Sequence, residues 1–168
     1  NGFFNLCEIA KKINVKKIFY ASSSSVYGDS TNFPLKEDFS IKPKNIYGLS
    51  KKINEEMADT YSINSKVKFI GLRFFTVFGP WGRPDMMIQK YIFNSFNNKK
   101  FELYNYGNHT RDFTYIDDIV SGIIKASDNP AKVNSHWDAL SPDPSTSSAP
   151  FQVLNIGNGH RVKLLDYI

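Results

Sequence analysis

Tyr47 and Lys51 stand four residues apart in Asn45-Ile46-Tyr47-Gly48-Leu49-Ser50-Lys51. Residues from Asn45 to about Ser62 read as a helix, with Asn45 a candidate N-cap and Glu55-Glu56-Met57-Ala58 good helix formers. On a helix, residues i and i+4 share one face. An ammonium beside a phenol favours the phenolate and lowers its pKa, and a phenolate aimed at an alcohol is a general base. Alone the pair carries little weight, because a chain with 9 tyrosines and many lysines reaches this spacing by chance as a solvated surface pair. Ser23 adds to it. The run Lys17-Ile18-Phe19-Tyr20-Ala21 ends in Ser22-Ser23-Ser24-Ser25, so Ser23 falls at the end of a predicted strand. A hydroxyl there can donate to, and accept from, the oxygen that Tyr47 deprotonates. By itself a serine-rich turn is ordinary loop chemistry.

The elements around these residues follow from periodicity. Leu6, Ile9, Ala10 and Ile13 repeat at helical spacing, which predicts an amphipathic helix over 2–14. Lys17–Ala21 is a short buried strand, residues 28–44 are turn-rich, and Lys66–Phe75 is a second strand. Gly79-Pro80-Trp81-Gly82-Arg83-Pro84 is a loop, and helical spacing resumes over 86–97. Phe101–Tyr104 is expected as a short strand and Asp117–Ser127 as a helix capped by its aspartate. Residues 128–150, rich in Pro, Ser and Asp, form a surface loop before a third strand, Phe151–Ile156. Helices alternating with short apolar strands predict an α/β fold on a mostly parallel sheet. Ligands on such sheets sit outside the carboxyl ends of the strands, where Ser22–Ser25 and Phe75–Gly79 both lie. Trp81 and Trp137 are expected to pack rather than stack on a ligand.

Composition narrows the classes. The 168 residues, 41% hydrophobic and 22% charged, suit about one globular domain rather than a disordered chain. No apolar run approaches the roughly 18–20 residues of a membrane span. The net charge of +5 comes from lysine pairs spread along the chain (Lys11-Lys12, Lys16-Lys17, Lys51-Lys52, Lys99-Lys100). No basic block or zinc-finger pattern accompanies them, so no nucleic-acid partner is expected. The single Cys7 fits a reducing, cytoplasmic compartment, where the sequon Asn108-His109-Thr110 is empty. No metal-ligand cluster is expected.

Four ordered motifs carry a resemblance: Tyr20-Ala21-Ser22-Ser23-Ser24-Ser25-Val26-Tyr27-Gly28, Tyr47-Gly48-Leu49-Ser50-Lys51, Leu72-Arg73-Phe74-Phe75-Thr76-Val77-Phe78-Gly79-Pro80 and Arg111-Asp112-Phe113-Thr114-Tyr115-Ile116-Asp117-Asp118. In this order they resemble the extended short-chain dehydrogenase/reductases, the NAD-dependent nucleotide-sugar epimerases and dehydratases. The resemblance implies a Rossmann-like parallel sheet with helices on both faces, with NAD as cofactor and a UDP-sugar as substrate. It implies Ser23, Tyr47 and Lys51 as the catalytic triad, with Tyr47 and Lys51 also at the nicotinamide ribose. Phe74, Phe75 and Val77 would lie beside the nicotinamide, and Ser24, Ser25 and Thr76 beside the sugar. Arg111 would grip the UDP phosphates. Asp112 and Asp117 would be turn and cap residues. Implied domains are 1–75 (the second half of the NAD-binding domain), 76–111 (substrate lobe), 112–160 (return to the first domain) and 161–168 (start of a lobe helix).

Within the family, Trp81-Gly82-Arg83-Pro84-Asp85-Met86, Asn105-Tyr106-Gly107 and Ala149–Asn158 look most like UDP-glucuronate 4-epimerases of capsule and surface polysaccharide synthesis. Family dehydratases carry an Asp-Glu pair at the positions of Ser24 and Ser25, because elimination needs an acid and a carboxylate base. Related decarboxylases keep a glutamate at the Ser25 position. With serine at both, a 4-keto sugar can only turn over and take its hydride back on the other face. Arg83 offers a guanidinium clamp for a uronic carboxylate, holding it against decarboxylation and selecting glucuronate over glucose. A UDP-galactose-type epimerase for neutral sugars stays open as an alternative.

The Gly-rich strand-turn-helix that holds a dinucleotide pyrophosphate does not occur in these 168 residues. The expectation is therefore a truncated epimerase, inactive in this form, or a non-catalytic remnant. The resemblance also implies a homodimer of the full-length protein, formed through a helix pair of which the 45–62 helix would be one member.

Overall fold

The computed structural model describes residues 2–167. The described chain divides into two compact units, 1–74 with 122–156, and 75–121 with 157–168.

The first unit opens with helix α1 (Gly2–Lys12), which buries Cys7 and Ala10. Strand β1 (Lys17–Ser23) follows and runs into a 3₁₀ turn, Ser24–Tyr27. Helix α2 (Ile46–Asn64) begins one residue after its N-cap, Asn45, whose side chain accepts from the Gly48 N–H at 2.7 Å. Strand β2 (Lys68–Phe74) is buried along most of its length, as a strand covered on both faces must be.

The second unit opens with strand β3 (Thr76–Phe78). Helix α3 (Met87–Phe96), strand β4 (Thr110–Arg111) and strand β5 (Phe113–Tyr115) follow. Helix α4 (Ile116–Asp128) crosses the division between the units. Strand β6 (Phe151–Ile156) completes the first unit, and strand β7 (Val162–Lys163) with helix α5 (Leu164–Tyr167) closes the second.

In the first unit β1, β2 and β6 form a parallel sheet in that order, and the register aligns Ser23 with Phe74 and Phe74 with Ile156. One sheet face carries a core of Cys7, Ala10, Ile18, Tyr20, Ala58, Val67, Phe69, Phe151 and Val153. The other packs Ile70 and Leu72 with Ala126 and Ala131, flanked by Phe74, Ile123 and Ile156. Each fully buried Phe or Ile there contributes about 1.5–3 kcal/mol. The sheet with helices on both faces is the α/β layering that the alternation of elements predicts. Residues 129–150 lack helix or strand, as expected of a loop, but they are not all surface. Ser145 and Ser147 are buried, and the Val153 N–H donates to the Ser145 carbonyl at 2.8 Å, so the loop covers the outer edge of β6.

In the second unit β3 pairs parallel with β5, and β4 antiparallel with β7. Phe113 stacks on Tyr167 with ring centroids 4.2 Å apart. The Asp112 carboxylate accepts from the Asn158 N–H (3.0 Å), the Gly159 N–H (2.8 Å) and the Thr114 hydroxyl (2.9 Å), which makes it the turn residue expected.

Three local expectations fail. Phe101–Leu103 is not a strand, since no neighbouring strand pairs with it among the described residues, and Tyr104–Gly107 is a 3₁₀ turn with Asn105 and Tyr106 at φ 49° and 53°. Asp117 is not a cap: β5 runs directly into α4, and Asp117 and Asp118 occupy its first turn, where carboxylates favour the helix dipole. Trp81 does not pack but stands fully exposed, at φ 61°.

Candidate active site

The site is built where β1 ends. Ser23 is buried, and its Oγ accepts from the Ser25 N–H at 3.1 Å, turning the chain into the 3₁₀ turn that carries the half-buried Ser24 and Ser25. The first turn of α2 lies against this turn. A Cβ at Gly48 would sit 2.6 Å from the Ser25 carbonyl oxygen, so only glycine permits the approach. Tyr47, its neighbour, is 56% exposed. One turn on, the Lys51 ammonium donates to the Ala21 carbonyl at 2.8 Å and lies 5.6 Å from the Tyr47 ring centroid. The shared helix face is therefore real, and the lysine is anchored to the strand as well as set beside the phenol. No hydrogen bond joins the Ser23 hydroxyl to Tyr47 or Lys51 among the described residues. Phe74 lies opposite Ser23 in the ladder.

Behind these residues is a buried polar network that sequence reasoning did not assign. Arg73, fully buried on β2, makes a bidentate pair with Glu55 of α2: Nε donates to Oε1 at 3.0 Å and a terminal nitrogen to Oε2 at 2.9 Å. Ser22 Oγ also donates to Glu55 Oε1. The other terminal nitrogen of Arg73 donates to Tyr27 Oη at 2.8 Å and to the Glu37 carbonyl at 3.0 Å. Tyr27 Oη donates to Asn155 Oδ1 of β6 at 2.7 Å. Burial works against the Arg73 charge, but the bonds to Glu55 prevail and hold its pKa above the ordinary value. Burial pushes the Tyr27 phenol up despite the guanidinium beside it. The one signal in the sequence was an arginine inside an apolar strand, Leu72-Arg73-Phe74.

The remaining predicted site residues fall in the second unit. Phe75 packs over Gly157. Thr76, Val77 and Arg83 line one small cavity of about 50 Å³, together with Met86, Gln89 and Phe113. That volume holds a water or two, far below the roughly 300–1,000 Å³ of a small-molecule site. Arg83 is exposed and pairs with Asp85 through two hydrogen bonds. Arg111, on β4, is exposed and donates to the Thr110 carbonyl at 2.9 Å. An open groove in the first unit, beside Asn129, Lys132, Thr146 and Gln152, lies toward the amino end of β6. Ligands on parallel sheets sit at the opposite end. Among the described residues no group of three or more His, Cys, Asp or Glu could hold a metal ion. No helix there is long and apolar enough to cross a membrane.

A parallel α/β sheet, with Ser23 at the carboxyl end of β1 and the Lys51 ammonium bonded to the Ala21 carbonyl two residues before it, points to the class, a Rossmann-fold protein of the short-chain dehydrogenase/reductase type. The family described as NAD dependent epimerase/dehydratase matches residues 1–139, and the chain belongs to it. Protein CapI of Staphylococcus aureus is 45% identical over 168 residues, covering 99% of this chain and 50% of CapI. A probable UDP-glucuronate 4-epimerase of Rhizobium meliloti is 39% identical over 172 residues, 99% of this chain and 50% of that protein. Among solved structures, the UDP-glucuronic acid 4-epimerase of Bacillus cereus in complex with UDP-glucuronic acid and NAD superposes with a TM-score of 0.81 at 31% identity, over 99% of this chain and 48% of that one. The chain thus spans about half the length of the curated relatives it matches.

Proposed function

We propose that the protein carrying this sequence is an NAD-dependent 4-epimerase of UDP-glucuronate, and that this chain supplies its proton-transfer residues. The observation that carries the reading is serine at both 24 and 25, in a turn packed against the helix of Tyr47 and Lys51. Tyr47 takes the proton of the sugar C4 hydroxyl and returns it, while the Ser23 hydroxyl holds the same oxygen. When bound, NAD supplies a reversible hydride acceptor. The donors present suit its nicotinamide end: an ammonium anchored beside a half-exposed phenol matches ribose hydroxyls, and the family resemblance assigns Phe74, Phe75 and Val77 to the ring. Neither Ser24 nor Ser25 can protonate a leaving hydroxyl or take a ring proton, so the oxidised sugar returns as its C4 epimer rather than losing water. Thr76 serves the sugar, Arg83 the uronic carboxylate and Arg111 the diphosphate.

The relatives named as UDP-glucuronate 4-epimerases support this substrate, and capsule or surface polysaccharide synthesis is the process we propose it serves. A cytoplasmic homodimer fits the reading, with Leu6 and Ile9 of α1, Ile13 just after it, and Leu49 and Ile53 of α2 as exposed apolar residues for the pairing. One observation favours the neutral-sugar alternative: Arg83 is already paired with Asp85.

The test is to incubate the natural protein with UDP-glucuronate and, separately, UDP-glucose, with NAD, and to follow the products. UDP-galacturonate without a pentose product is expected, and Tyr47→Phe should lower turnover about 10²- to 10⁴-fold. Turnover of UDP-glucose alone overturns the substrate, and undiminished turnover in Tyr47→Phe overturns the site.

A further inference from the structure

We propose that the buried Glu55–Arg73 pair is a positioning device for this reaction, fixing the helix of Tyr47 and Lys51 in register with the strand end of Ser23. The inference rests on the epimerase reading and extends it to residues outside the triad.

Tyr47, Lys51 and Glu55 follow one another at steps of four along one face of α2. Three consecutive residues of β1 meet this face or supply the triad: the Ala21 carbonyl takes the Lys51 ammonium, Ser22 donates to Glu55, and Ser23 is the triad hydroxyl. The helix is thus tied to the strand at two heights, one turn apart. Arg73 grips both oxygens of Glu55, and a bidentate fork resists sliding and rotation where an apolar contact permits both. The same guanidinium reaches Tyr27, the last residue of the 3₁₀ turn that carries Ser24 and Ser25. Tyr27 in turn donates to Asn155 of β6. One cation therefore locates the helix, the serine turn and the sheet together. A well-packed apolar pair of similar volume is often as stable as a buried ion pair, or more so, so stability alone gives no reason for charge here. A misplacement of about 1 Å in reacting groups can lower a rate about 10²-fold, which does give one.

The test compares variants of the natural protein with UDP-glucuronate and NAD. Glu55→Met/Arg73→Leu removes both charges and leaves neither stranded. Its melting temperature should stay near wild type while kcat falls about 10- to 100-fold, with KM for the nucleotide sugar nearly unchanged. Arg73→Lys keeps the charge but lacks the fork and should not rescue kcat. Wild-type kcat in a folded double variant overturns the proposal. If the double variant does not fold, Ser22→Ala and Tyr27→Phe take its place, each removing one bond to the pair without baring a charge. A lower kcat at constant KM in either supports the device, and wild-type kcat in both overturns it. If the wild-type protein converts no nucleotide sugar, the epimerase reading fails on its own account. The pair is then judged from a crystal structure of Ser22→Ala/Tyr27→Phe: loss of the Lys51–Ala21 bond supports it, and an unmoved Lys51 overturns it.

Discussion

Two cations in each unit are held in opposite ways. In the first, Lys51 is tied to a strand carbonyl and Arg73 is fully buried, its guanidinium bonded to a carboxylate, a phenol and a carbonyl. In the second, the two arginines assigned to substrate anions are exposed, with partners one or two residues away in the chain, Asp85 for Arg83 and the Thr110 carbonyl for Arg111. The first arrangement preorganises, because moving Arg73 or Glu55 strands a buried charge. The second is adjustable, because an exposed ion pair is worth only about 0–1 kcal/mol and exchanges readily for another anion. On the proposed reading, the helix that carries the proton-transfer residue is the one held fast, and the arginines proposed to greet a charged ligand are held loosely.

The widest gap between the units should appear in stability. Arg73→Leu leaves Glu55 buried and unpaired and should cost about 3–5 kcal/mol in urea denaturation. Arg83→Ala should leave the same curve within about 1 kcal/mol of wild type. Equal losses would erase the contrast. Next in size is a specificity effect confined to the second unit. Arg83→Ala should lower kcat/KM for UDP-glucuronate relative to UDP-glucose about 10- to 100-fold in the natural protein, since the proposed charge-assisted clamp would be lost. An unchanged ratio would show that the carboxylate is read elsewhere.

A smaller effect should come from the cap of α2. Asn45→Ala leaves the Gly48 N–H without its acceptor and should cost about 1 kcal/mol, read as a shift of the urea midpoint. No shift would mean that the packing of Gly48 alone holds that turn. The smallest effect is one of pH. The Tyr61 hydroxyl donates to the Glu8 carboxylate, and that bond pushes its pKa up to about 12. The tie of α1 to α2 is then intact below the ordinary tyrosine value near 10 and is lost as pH rises toward 12. Melting temperature against pH should fall less steeply over that window in Tyr61→Phe than in wild type. Identical slopes would remove Tyr61 from the account.

What could be read from the residues was whatever has a period or a short span. The i,i+4 face of Tyr47 and Lys51, the Asn45 cap and the three sheet strands are local patterns, and the structure contains them. The Glu55–Arg73 pair is not local. Its members come from a helix and the following strand, and a glutamate within Glu55-Glu56 reads as part of a solvated helix face until the fold buries it. Strands β3, β4, β5 and β7 are two or three residues long, too short for alternation to show. Phe101–Tyr104 erred the other way: β-forming residues are not enough where no strand edge receives them. Trp81 shows that a large apolar residue in a Gly- and Pro-rich loop need not find a core.

Gly48 sets a manufacturing tolerance. With a methyl group there the helix start would have to shift outward to clear the Ser25 carbonyl, and the phenol next door would travel with it. The clearance between the helix of Tyr47 and the serine turn is therefore gauged by one hydrogen atom. Widening it by the smallest side chain should blunt the chemistry while leaving every reactive group in place.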